Sequence, residues 1–206
     1  MQTAEGKSTI RKHLLTVLSS IPREQKVAEE RSVFDNLIRL DFLEGAEIVL
    51  SYLSFGNELD VDGFNARLLE KGASVYVPVI KSGVLKGSRT EELDFRRIGP
   101  DFHTLPKNRY GIREPGPGIQ TLEFNSKTAN SLIPVIVPGL AFDGKCRRLG
   151  RGGGFYDRFI SSHRSRICTV GVCFSVQKVD EVPADGKDEP VDWLVTAGET
   201  IRRDPV

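Results

Sequence analysis

A chain of 206 residues with 29 Lys and Arg against 28 Asp and Glu carries a formal net charge of +1, so it offers no electrostatic footprint for a nucleic-acid duplex or an anionic membrane. At roughly 150 residues per domain it reads as a single domain over residues 1–206, with enough chain to bury a shared core unaided. Its 39% apolar and 28% charged residues are ordinary for a soluble chain, and no apolar run approaches the ~20 residues of a membrane span; a cytoplasmic protein is expected.

Between residues 5 and 19, Ile10, Leu14, Leu15 and Leu18 recur at three- and four-residue steps, the period of one helical face, and Lys7 and Arg11 are assigned to another face. Pro22 pre-sets the first turn of a second helix. Its apolar stripe is Val27, Phe34, Leu37 and Ile38, so the two helices predict an N-terminal helical hairpin. Residues 47–54, apolar and too short for a helix, read as a strand that ends in a loop holding Gly56, Asn57 and Glu58. Asp60 can cap a helix over about 61–71, with Gly72 at its stop.

The next strand covers 74–80, and segments 84–86 and 93–98 form a short antiparallel excursion. Residues 99–120, rich in proline and glycine, predict an extended ordered loop or a covering flap. A strong strand at 132–137 is broken by Pro138 and Gly139. A glycine-rich loop then enters a helix over 155–162, followed by a buried strand at 166–174 and a last apolar run at 193–196. This alternation predicts an α/β fold, a mainly parallel open sheet covered by helices on both faces.

The segment PGLAFDGKCRRLGRGGGFYD, residues 138–157, carries the most chemical information. Gly150, Gly152, Gly153 and Gly154 free the backbone so that successive amides can converge on an anion, and a loop between a strand and a helix start is suited to phosphate. Arg148 and Arg151 supply cations that pair with phosphate oxygens. Asp157, one turn into the helix, is expected to be an exposed carboxylate within reach of a divalent cation. The competing reading is a flexible surface turn, since the spacing matches neither G-x-G-x-x-G nor G-x-x-x-x-G-K-[ST].

Lys7 and Arg11 are either cations approaching a triphosphate from outside the cradle or a solvated basic face. Glu58, at the carboxyl end of the first strand, suits a substrate's polar ring and equally suits a solvated loop. Asp188 is a candidate metal carboxylate, with Asp185 competing and Asp192 as a cap. His13, His103 and His163 are scattered and expected at the surface, and no G-x-S-x-G elbow is present. Cys146, Cys168 and Cys173, an odd count without C-x-x-C spacing, argue against a disulfide framework or a zinc site.

Taken together, K-x-x-x-R at 7–11, SFGNELD around Glu58, GIREP at 111–115, PGLAFD followed by RLGRGGGFYDR, and Pro183 with Asp188, Asp192 and Thr196 make the sequence similar to the 5-formyltetrahydrofolate cyclo-ligase family, also called 5,10-methenyltetrahydrofolate synthetase. The resemblance spans nearly the whole chain. It implies ATP- and Mg2+-dependent closure of 5-formyltetrahydrofolate, with or without a polyglutamate tail, through a phosphorylated formyl group. It also implies that Lys7, Arg148 and Arg151 act catalytically as charge-neutralising cations, and that Lys7, Arg11 and the run from Arg148 through Gly150, Arg151, Gly152, Gly153, Gly154, Phe155 and Tyr156 to Asp157 hold the ATP.

By the same likeness, Asp157 and Asp188 associate with magnesium. Leu53, Glu58, Glu114 and Tyr156 contact the folate, with Glu114 and Pro115 on a covering loop. A small-molecule enzyme that works as a monomer is expected. The alternative is a non-catalytic folate- or nucleotide-binding relative of the same fold. Cys146 stands where the family usually has Gly, Phe155 where Tyr is commoner, and Gly56 with Asn57 alters the approach to Glu58. The first of these departures bears on the backbone of the turn before R-L-G.

Overall fold

The computed structural model describes residues 2–85, 88–108, 111–124 and 132–204. Its strands are β1 (Ile48–Leu50), β2 (Ser74–Leu85), β3 (Ser88–Arg97), β4 (Ile133–Pro138), β5 (Ala141–Phe142), β6 (Arg148–Leu149), β7 (Ile167–Val172), β8 (Trp193–Val195) and β9 (Thr200–Arg202). Seven of them form one sheet in the order β3-β2-β1-β4-β7-β8-β9, and β5 with β6 makes a separate hairpin. The β1, β2, β4, β7 and β8 strands run parallel, while β3 and β9 close the two edges antiparallel. The helices are α1 (Gln2–Ser20), α2 (Arg23–Leu37), α3 (Asp41–Glu44), α4 (Asp62–Glu70) and α5 (Phe155–His163).

The side chains of a strand alternate between its faces, and here each face has its own helices. Val49, Val75, Val77, Ile136 and Val170 pack with Val33, Leu37, Phe64 and Leu68 of α2 and α4. Leu50, Tyr76, Val135 and Val137 pack with Phe159 and Ile160 of α5. Each such side chain removed from water contributes about 1.5–3 kcal/mol, so the mainly parallel sheet with both faces covered follows from its near-continuous apolar strands.

Local signals set several helix ends, although the N-cap of α4 is Val61, without a side-chain cap bond, and Asp60 stands one residue before it. Pro22 stands at the N-cap of α2 with φ −57°. The Asp62 amide donates to Asp60 Oδ1 over 2.7 Å, and Gly72 takes φ +88° just past α4, a left-handed stop that a Cβ would disfavour. Several expectations change. The strand expected over 47–54 shortens to β1, and beyond its end Tyr52 donates its hydroxyl to the Leu59 carbonyl at 2.7 Å. The 74–80 strand and the two-piece excursion become one long hairpin, β2 with β3, paired from Tyr76↔Arg97 out to Leu85↔Ser88. The sequence reading missed α3, the β5–β6 hairpin and β9.

The faces of α1 are also redrawn. Lys7, Arg11, Leu14 and Leu18 follow one another at steps of four, three and four residues and lie on a single stripe, not two. Leu14 and Leu18 are 2% exposed and Lys7 only 8%, whereas Leu15 is 40% exposed. All three cysteines are free, with Cys146 and Cys173 buried and Cys168 half-buried. Among the described residues no helix is long and apolar enough to cross a membrane.

Candidate active site

The chain runs from β1 through β2 to β3 on one side and from β4 through β7 to β8 and β9 on the other, so strand order reverses between the neighbours β1 and β4. Open α/β sheets collect ligands beyond the carboxyl ends of their strands at such a reversal. A cavity of about 390 Å3 lies here. Leu53 and Glu58 reach it from the segment after β1, Gly139 from the end of β4, Ile80 and Leu93 from the β2–β3 hairpin, and Gly150, Arg151 and Gly153 to Tyr156 from the glycine loop. Its volume lies in the range of small-molecule sites.

The glycine loop is shaped by its own backbone and by what leans on it. Gly152 has φ +107° and Gly154 φ +64°, conformations that side-chain-bearing residues rarely adopt. Gly154 is the N-cap of α5, and Asp157 stands in that helix's first turn. Arg148, 4% exposed, donates from Nη2 to Asp157 Oδ1 over 2.8 Å, and its guanidinium lies 5.6 Å from the Tyr156 ring centroid. The side chain of Asp157 is 17% exposed, so it is a partly buried ion-pair partner and not the exposed carboxylate expected.

Two polar atoms on the cavity lining, Arg148 Nε and Tyr156 Oη, are buried without a hydrogen-bond partner. Such an atom costs about 1–3 kcal/mol when nothing meets it, so their placement fits a ligand with acceptor oxygens. Burial pushes the Tyr156 phenol well above its usual range, with Glu58's charge adding to it, which keeps the hydroxyl a donor at neutral pH.

Glu58 joins two parts of the lining. Its Oε1 accepts Arg151 Nε at 3.1 Å and its Oε2 accepts the Phe55 amide at 3.3 Å. The Arg151 guanidinium stacks 4.5 Å from the Phe55 ring centroid. Burial raises the Glu58 carboxyl above its ordinary range against the opposing pull of Arg151 and the Phe55 amide.

Lys7, Arg11 and Asp188 sit behind the loop, outside the cavity lining. Lys7 Nζ donates to Asp185 Oδ2 at 2.8 Å and to Asp188 Oδ2 at 2.5 Å. Burial acts against its charge, but the hydrogen bonds and charges of the two carboxylates outweigh that and raise its proton affinity. Arg11 donates from Nε to the Gly150 carbonyl at 2.9 Å. Asp157 Oδ1 also accepts the Glu189 amide at 3.3 Å, which brings the Asp188 segment up to Asp157.

No cluster of three or more His, Cys, Asp and Glu side chains able to cage a metal occurs among the described residues. Mg2+ is commonly held by one or two carboxylates together with substrate phosphates and waters. Asp157 and Asp188 are each already ion-paired, with Arg148 and Lys7 respectively, and only Asp157 lines the cavity, so a cation there would arrive with a phosphate ligand and draw on carboxylates that now face protein cations.

Within 99–120, Glu114 reaches the cavity and accepts Asn108 Nδ2 at 2.8 Å. This segment is pinned by a bidentate pair in which Arg113 donates to Asp62 at 2.7 and 2.9 Å, a bond from the loop to the first residue of α4 that no local pattern announced. Asn108, Arg113, Tyr52, Phe55, Ile80 and Leu93 are among the lining residues that sequence reasoning missed. His163 is half-buried, stacked on Phe159 with centroids 4.6 Å apart, where a surface position was expected. His13 and His103 are exposed.

Known proteins share this architecture. A model of the 5-formyltetrahydrofolate cyclo-ligase family matches residues 3–197. A probable 5-formyltetrahydrofolate cyclo-ligase of Caenorhabditis elegans is 28% identical over 98% of each chain. The 5-formyltetrahydrofolate cyclo-ligase of Escherichia coli K12 is 33% identical over 73% of this chain and 78% of its own. Among solved structures, the 5,10-methenyltetrahydrofolate synthetase of Aquifex aeolicus superposes with a TM-score of 0.73 at 28% identity, covering 97% of this chain and 94% of that one.

Proposed function

The chain belongs to the 5-formyltetrahydrofolate cyclo-ligase family, and from that premise we propose that it closes 5-formyltetrahydrofolate to 5,10-methenyltetrahydrofolate in the cytoplasm, as a monomer, consuming ATP with Mg2+ and releasing ADP and phosphate. The observation that carries this reading is the pair of buried, unpartnered donors, Arg148 Nε and Tyr156 Oη, where the glycine loop meets an apolar cavity. A flat ring fits between Leu53, Ile80 and Leu93, and an anion fits against the loop.

In this reaction the formyl oxygen bonds to the γ-phosphorus as the bond from that phosphorus to ADP breaks. The neighbouring amine then adds to the activated carbon and gives up its proton, and the carbon–oxygen bond breaks as phosphate leaves. An amide-like oxygen is a poor leaving group until it is phosphorylated. Phosphoryl transfer needs positioning and charge neutralisation more than a protein nucleophile. Arg148 and Arg151 supply cationic charge on the lining, Lys7 and Arg11 support the loop from behind, and Glu58 takes the polar edge of the pteridine ring. Asp157 and Asp188 would hold Mg2+, which would supply further charge neutralisation on the phosphates.

The test is the rise of methenyl-folate absorbance from 5-formyltetrahydrofolate, with ATP and Mg2+ each omitted in turn. The expected outcome is product only when both are present, with one phosphate released per ring closed. Tight folate or nucleotide binding without phosphate release would instead identify a non-catalytic binding relative.

A further inference from the structure

Asp143 lines no part of the cavity and is fully buried, yet its carboxylate accepts four hydrogen bonds. Oδ1 takes the amides of Lys145 at 2.9 Å and Arg147 at 3.1 Å, and Oδ2 takes Arg147 Nε at 2.6 Å and the Val182 amide at 2.9 Å. The Oδ1 pair closes the turn between β5 and β6, which sets Phe142 opposite Arg148 and thereby delivers Arg148 to the glycine loop. The Val182 bond spans 39 positions and fixes the start of the segment that carries Asp185 and Asp188.

The same turn also holds the far end of that segment, because the Cys146 carbonyl accepts the Val191 amide at 2.9 Å. Cys146 adopts φ +60°, the left-handed conformation a glycine takes more readily. The departure expected to alter this turn therefore leaves its left-handed bend in place. Between the two pins the segment presents two carboxylates to Lys7 and the Glu189 amide to Asp157. One buried carboxylate thus ties the strand bearing Arg148 to the stretch bearing Asp188.

We propose that Asp143 is a positioning residue of the nucleotide side of the site, setting the spacing of Arg148 and Asp157 against Asp188, an inference that rests on the glycine loop being the ATP site. The folate side is built mostly from other elements and meets the glycine loop through the Glu58–Arg151 pair and Tyr156. Leu53, Glu58 and Leu93 come from β1, β3 and their loops, which the turn does not touch. All four groups that meet Asp143 are N–H donors, so an asparagine there must turn its own NH2 toward at least one of them.

The experiment uses full-length Asp143→Asn and Arg147→Met. It measures binding of Mg2+ with a non-hydrolysable ATP analogue in the absence of folate, KM for ATP and for 5-formyltetrahydrofolate, and hydrogen exchange at the Val182 and Val191 amides. The expected result for Asp143→Asn is at least tenfold weaker analogue binding and a comparable rise in KM for ATP, with the folate KM within twofold and faster exchange at Val182. Arg147→Met should shift analogue binding the same way by about threefold, which keeps the test open if Asp143→Asn does not fold.

Unchanged analogue affinity in the folded variants, or an equal rise in both KM values, overturns the proposal. A wild-type protein that binds the analogue but forms no methenyl-folate defeats the proposed reaction while the binding and exchange measurements still decide the role of Asp143. A wild type that binds no nucleotide defeats both.

Discussion

Lys7, near the start of α1, closes onto Asp188, 181 positions later, with its Nζ 2.5 Å from Oδ2. The contact exists because Lys7 occupies the same helical stripe as the buried Leu14 and Leu18, so packing of that stripe carries the ammonium beneath the glycine loop.

Lys7→Ala should raise the ATP concentration needed for half-maximal turnover about tenfold, equivalent to ~1.4 kcal/mol, and leave folate affinity within twofold. It should also lower Tm, since Asp185 and Asp188 lose the cation between them. Steady-state kinetics with each substrate varied, together with thermal denaturation, checks both effects. An unchanged ATP requirement would leave Lys7 a structural anchor only.

Asp157→Asn removes the counter-charge from Arg148, whose side chain is 3% exposed. A buried guanidinium facing a neutral amide should cost about 2–4 kcal/mol, or roughly 4–16 °C in Tm for a chain of this size. Turnover should fall by more than tenfold under conditions where the variant is fully folded, and the Mg2+ requirement should rise. Activity that tracks only the folded fraction would remove Asp157 from the metal role.

Glu58 has its carboxyl raised by burial, so the fold favours its neutral form. Stability from this group is fully present below the unfolded carboxylate pKa near 4.3 and is lost as pH rises through the higher folded value. Glu58→Gln should therefore raise Tm at pH 7 by roughly 1–4 °C, with the gain vanishing below about pH 4, and should weaken folate binding at neutral pH. Melting curves across pH 4–8 check the sign; a loss of Tm at pH 7 would mean that the Arg151 pair outweighs desolvation.

Gly152→Ala forces a side chain onto φ +107°, with its Cβ 3.7 Å from the Arg11 guanidinium carbon. The backbone conformation should cost about 1–3 kcal/mol, and relief of that strain should move the loop amides. Nucleotide-analogue affinity should drop while the folate affinity holds, as titrations of each ligand alone would show. Equal affinity with a lower Tm would confine Gly152 to a folding role.

Much of this molecule was legible locally. The apolar strands, the Pro22 helix start, the Gly72 stop and the glycine loop all rest on interactions within a few residues, which periodicity and backbone chemistry report. The alternation of helix and strand was enough for a mainly parallel sheet. The short edge β9 and the hairpin β5–β6 escaped because two- and three-residue strands have no period to read and are held by their neighbours.

From its own residues the sequence determined that a glycine-rich loop lies between a strand and a helix, near cations and carboxylates. Which cation meets which carboxylate was decided only in three dimensions. The reversal of strand order between β1 and β4 sets Glu58 beside Arg151, 93 positions apart, and the packing of α1 sets Lys7 beneath Asp188. Asp143 ties the loop hairpin to Val182 for the same reason. Contacts of that span depend on how elements stack and on which buried donors need acceptors, and neither is encoded in the spacing of adjacent residues.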